Sequence, residues 1–186
     1  MKKLIFGTLA LAFVAMLTIS TQSCKKSSSS SVATLYDTLG GTTMVTDPIN
    51  TSTKIEAGRL AIRGVVDSAL YIIAADTAIN GYFTVLLGEL THNPPITTGF
   101  SALEKNLVDF FCVGTGAKNF TYGGKSMTAA HDPSQNPRIN QKVAADDFNQ
   151  FVNDIVASAN KNHVPANITG SLGKIIVSLQ GQVVQR

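Results

Sequence analysis

The sequence predicts an all-α domain, on three observations. Apolar residues recur at helical spacing in four separated stretches, the segments between those stretches carry glycine and proline, and no alternating strand pattern of comparable length appears. The chain has 186 residues and a formal charge of +3. Lys2, Lys3, Lys25 and Lys26 lie before the periodic part, so that part is close to neutral. It offers no basic face, which argues against a nucleic-acid partner. About 155 residues follow the serine run 27–31, enough for one domain with a real core and not comfortably for two.

The first element is an export signal. Met1, Lys2 and Lys3 precede an apolar run over 4–19, and Ser20, Thr21, Gln22 and Ser23 close it. That run is marginal for a permanent anchor, which takes roughly 20 residues. Cys24 stands directly after the small Ser23, where lipoproteins carry the cysteine that is diacylated. Residues 1–23 therefore resemble a lipoprotein signal and 24–33 a serine-rich tether. Acylated Cys24 would hold the domain to outer-membrane lipid, facing the periplasm, without spanning the bilayer. With Cys24 so used, Cys112 lacks a partner for a disulfide and reads as a small core hydrophobe in a helical pattern.

The helices follow in order. Ile62, Val66, Ala69, Leu70 and Ile73 form the first amphipathic stripe, and Leu103, Leu107, Phe110 and Phe111 the second. Phe148, Phe151, Val152, Ile155 and Ala159 form the third, with Asp146 and Asp147 as expected N-terminal caps. The fourth runs through Ile168, Leu172, Ile175, Ile176, Leu179 and Val183, separated from the third by Asn160 and Pro165. Loops are expected at 40–52, 88–98, 114–124 and 132–138, the second and fourth marked by Pro94, Pro95, Pro133 and Pro137. Periodicity alone does not choose among all-α arrangements.

The order of shorter motifs narrows the choice. Leu35-Tyr36-Asp37-Thr38-Leu39-Gly40-Gly41 is followed by Val65-Val66-Asp67, Ala75-Asp76, Tyr82-Phe83, the stretch from Leu103 to Phe111, and Tyr122-x-Gly124-x-x-Met127-x-x-Ala130-His131. Asp147-Phe148, Phe151-Val152 and the Val164-Pro165 turn complete the series. This succession resembles the group I truncated haemoglobins, over 34–186. The resemblance implies a truncated globin-like two-over-two helical sandwich enclosing haem b. Three connections are longer than that pattern: after Gly41, over 84–98 and over 132–139, all in loops, where added length costs little.

The resemblance also implies a site. His131 matches the proximal histidine that ligates iron, with Met127 one turn before it. Phe83 matches the phenylalanine wedged against haem, and Phe111, Phe148 and Val152 match apolar wall positions. Leu70 and Leu107 stand where a distal tyrosine and glutamine are usual, with Leu103 at the gate, so a bound gas would lack its usual hydrogen-bond donors. Tyr71 is one residue away, a rotation of roughly 100° around the helix. His92 is an alternative second axial ligand, and His163 reads as solvated. The function implied is binding of O2 or another diatomic gas at haem iron. The alternatives are a haem-free interaction module on the same scaffold, or a haem enzyme of the nitric oxide dioxygenase or peroxidase kind. The missing donors weigh against the enzyme.

Overall fold

The computed structural model describes Val32–Arg186, so the signal, Cys24 and most of the tether lie outside the described residues. Helix α1 spans Leu35–Thr38, and a capping box opens it. The Asp37 amide donates to the Thr34 hydroxyl at 3.1 Å, and the Thr34 amide donates to Asp37 Oδ2 at 2.8 Å. The Gly-Gly pair then turns the chain back. At Gly40, with φ +111°, a Cβ would meet the Ala57 Cβ at 2.8 Å. Only glycine accepts both that backbone and that approach.

The stretch after Gly41, read as a loop, contains an antiparallel hairpin. Strand β1, Met44–Thr46, pairs with β2, Lys54–Glu56, in the register Met44 to Glu56 and Thr46 to Lys54. Three-residue strands are too short to show an alternating pattern in sequence. The Arg63 guanidinium ties the hairpin to the next helix by donating to both oxygens of Asp47, at 2.7 and 3.0 Å.

The framework is built by α2 (Ala57–Ala75), α4 (Thr98–Gly114), α6 (Ala145–Lys161) and α7 (Ala166–Val177). Helix α2 packs on α4 and on α6, and α6 packs on α7. Helix α2 buries its whole expected stripe, whereas on α4 only Phe111 of Leu103, Leu107, Phe110 and Phe111 is fully buried. Ile62, Val66, Ala69, Leu70 and Ile73 of α2 meet Val108, Phe111 and Cys112 of α4, Phe148 and Ile155 of α6, and Ile168, Leu172 and Ile176 of α7 in one core.

Between the framework helices lie a 3₁₀ turn, Asn80–Phe83, followed by α3, Thr84–Thr91, and the single-turn α5, Met127–Ala130. Gly88 therefore sits in a helix, and the loop expected from 88 begins after Thr91. Two further boundaries differ. Asp146 and Asp147 occupy the first turn of α6, with Ala144 at the cap, and the Ala144 amide donates to Asp147 Oδ2 at 3.3 Å. The fourth stripe is broken after Val177, and a separate short helix, α8, spans Gln180–Val183. Neighbouring turns can bury one apolar stripe without one continuous helix, so spacing alone hid the break.

Candidate functional site

A cavity of about 300 Å³ lies among the 3₁₀ turn, α3, α4, α5, the N-terminal part of α6 and the C-terminal segment. Phe83, Leu86, Leu103, Leu107, Phe110, Phe111, Phe148 and Phe151 make most of its wall, and Ile176, Leu179 and Val183 close it from the C-terminal side. Phe110 meets Phe111 edge-on at 5.5 Å and Tyr122 edge-on at 5.6 Å, which fixes the aromatic side of the wall. Such a cavity suits an apolar molecule.

His131 enters this wall from the C-terminal end of α5. That helix is one turn long, capped by the Ser126 hydroxyl, which accepts from the Ala129 amide at 3.2 Å. The Asn136 side chain donates to the Ala130 carbonyl at 2.7 Å, and the Gln185 side chain donates to the Thr128 carbonyl at 2.8 Å. The His131 Nδ1 lies 2.8 Å from the Met127 carbonyl oxygen. A carbonyl only accepts, so Nδ1 carries the proton and Nε2 keeps its lone pair. Burial pushes the imidazole below the ordinary histidine range, more than the Met127 contact raises it. The ring is accordingly neutral at neutral pH, oriented by its other nitrogen, and able to ligate a metal through Nε2.

The polar groups of the cavity are mostly committed. Tyr82, 4% exposed, donates its hydroxyl proton to Asp147 Oδ2, and Arg186 donates to both the Tyr82 oxygen, at 3.0 Å, and Asp147 Oδ2, at 3.3 Å. Tyr82 holds the Asp147 carboxyl below its ordinary range, and burial together with Asp147 raises the Tyr82 phenol. The Tyr122 hydroxyl donates to the Lys125 carbonyl at 2.7 Å. Asn106, Lys125, Asn136 and Arg138 complete the lining.

No family model and no curated protein matches the sequence. Solved structures do match. A truncated haemoglobin from Tetrahymena pyriformis, in an iron(III) form, superposes with a TM-score of 0.58 at 18% identity, covering 83% of this chain and all of that one. The 2/2 haemoglobin from Synechococcus sp. PCC 7002, in the cyanomet state with covalently attached haem, superposes with a TM-score of 0.53 at 20% identity, covering 81% of this chain and 95% of that one. The chain has the two-over-two globin fold.

Against that globin fold the expected site residues divide. The structure brings His131, Met127, Phe83, Leu103, Leu107, Phe111 and Phe148 together around the cavity. It does not bring Leu70 or Val152 there. Leu70 belongs to the α2 stripe buried in the main core, and Val152 packs against that core from α6; neither is among the residues lining the cavity. Tyr71 is 75% exposed and faces away from the globin core. His92 is exposed at the end of α3, its ring nitrogen 3.0 Å from the Pro94 carbonyl, and is not part of the lining; His163 is exposed. Cys112 is fully buried in the core, and burial pushes its thiol up to about 11.

The sequence reading missed the Tyr82 cluster and Arg138. Tyr82 was visible as the partner of Phe83, but its acceptor lies 65 residues away and its cation 104 residues away, beyond any local signal.

Proposed function

We propose that this globin-fold chain binds haem b with His131 as the axial iron ligand, in the manner of the group I truncated haemoglobins. The observation that carries the reading is the neutral, half-buried imidazole in the cavity wall, whose Nδ1 is engaged by the Met127 carbonyl so that Nε2 keeps its lone pair. The residues present fit the group. The aromatic and leucine wall would take the porphyrin faces, burial of which supplies most of the binding free energy. Lys125 is a cation in the lining, suited to an anionic edge. Bound haem supplies an iron coordination position open to a diatomic gas. The protein orients His131, excludes water through Phe83, Leu103, Leu107, Phe110 and Phe148, and ties up the Tyr82 and Tyr122 protons in bonds to Asp147 and the Lys125 carbonyl. This leaves a pocket suited to holding O2 or a similar gas rather than to driving oxidation.

The decisive measurement is reconstitution of the purified domain with haemin. A Soret band is expected, and His131→Ala should lose haem on gel filtration unless imidazole is added, whereas His163→Ala should retain it. No Soret band in the parent protein would return the chain to a haem-free interaction module. Equal retention in the His131 variant would remove the ligand assignment.

We also propose that the domain is exported and held to outer-membrane lipid through acylated Cys24, on the strength of the apolar run 4–19 followed by Ser23-Cys24. Cys24→Ala should abolish lipid labelling and move the protein to the soluble fraction. A variant that stays with the membrane after signal cleavage would overturn the tether.

A further inference from the structure

Two of the lengthened connections, 84–98 and 132–139, meet over the cavity. Glu89 lies near the end of α3 in the first and Arg138 in the second, and Arg138 Nε donates to Glu89 Oε1 at 3.2 Å. Beside them the Asn140 side chain donates to the Gly81 carbonyl at 2.8 Å and the Thr84 hydroxyl at 3.1 Å. Arg138 both lines the cavity and is 44% exposed along its side chain, which places it at the mouth.

The ion pair rests on the first turn of α4. A Cβ at Gly99 would come within 2.1 Å of Glu89 Oε2, 2.7 Å of Arg138 Nε and 2.8 Å of Leu86 Cδ2, so any side chain at 99 would push the pair out of its present position. Glu89 Oε2 is buried and has no hydrogen-bond partner. One oxygen of the carboxylate is thus engaged and the other is held against the helix, a half-satisfied arrangement that favours contact without locking it.

We propose that the Glu89–Arg138 pair is a latch over the cavity, and that its opening limits how fast a flat apolar ligand enters and leaves. The identity of that ligand rests on the haem reading above; the latch itself rests on the geometry of residues 89, 99 and 138. Closed, the pair joins α3, the start of α4 and the loop that follows His131. Opening requires only a partly exposed ion pair to separate, so salt should speed it.

The test measures uptake of haemin and its loss to an excess of a scavenger globin. Glu89→Gln and Arg138→Gln should each speed both processes roughly threefold to fivefold, the upper end of what a partly exposed pair supplies, with the absorption spectrum unchanged. Gly99→Ala should do the same without removing a charge, and the exchanged pair Glu89→Arg with Arg138→Glu should return the rates toward the parent. Rates within twofold of the parent in all the single variants would overturn the latch. So would faster loss in Arg138→Gln alone, which would make Arg138 a simple ligand contact. Should the parent take up no haemin, the same comparison is made with Nile red entering the cavity, so that the haem reading and the latch fail separately.

Discussion

Tyr82 joins three parts of the molecule that are distant in sequence: the turn before α3, the first turn of α6 and the C-terminal residue Arg186. Its buried hydroxyl donates to a carboxylate, a kind of bond that contributes about 1.5–3 kcal/mol. Tyr82→Phe should therefore lower stability by about 2 kcal/mol in denaturant titration. The effect should depend on pH. Asp147 is held below its ordinary value of 3.8 in the folded protein, by Tyr82 first, so the stability it adds is complete at neutral pH and is lost as the pH falls through and below that value. The gap between parent and variant should narrow on acidification. An undiminished gap at low pH would show that Tyr82 acts by packing alone. At this scale the place of His131 in the cavity wall was legible because a short motif carries it, whereas Leu70 lies in the α2 core stripe, a register that satisfies the core and the cavity pattern equally well. Tyr82 and Arg138 were illegible in their roles, since each is defined by partners that only folding brings near.

Among the elements, α2 and α4 carry an arrangement that opposes their own packing. Asp67 on α2 and Glu104 on α4 both have carboxyls raised from their ordinary values, first by burial and then, for Glu104, by the charge of Asp67. Arg63 offsets part of this for both. A carboxyl raised on folding disfavours the folded state once the pH exceeds its ordinary value, here 4.5 for Glu104. Glu104→Gln should accordingly raise the melting temperature by a few degrees at neutral pH and give no advantage below that value. A variant less stable than the parent at neutral pH would mean that the local contacts of Glu104 outweigh its burial and repulsion. The four framework helices were legible because their buried stripes repeat over several turns. The hairpin Met44–Glu56 and the single turn of α5 fall below one full repeat of any pattern, so their existence depends on tertiary ties such as Arg63 to Asp47 and Gln185 to Thr128.

At the scale of the whole domain, residues 184–186 tie separate parts of the fold together. Val184 bridges to Val143, the Gln185 amide donates to the Val143 carbonyl at 2.9 Å, and the Gln185 and Arg186 side chains reach α5 and the Tyr82 cluster. The motif order announced the fold, but this closure carries no local mark in the sequence. Cys112, at 0% exposure where α2, α4 and the first turn of the domain meet, turns the same compactness into a measurable quantity. Its raised thiol and complete enclosure keep reagents away until the helices part, so thiol labelling of the domain reports how often the interior is laid open. Labelling should be slow in the apo-protein and slower still once haemin is added, in proportion to the occupancy of the cavity. Labelling that is fast and indifferent to haemin would mean that α4 opens locally without unfolding. The Cys112 thiol thus serves as a clock built into the domain, timing its opening without any added probe.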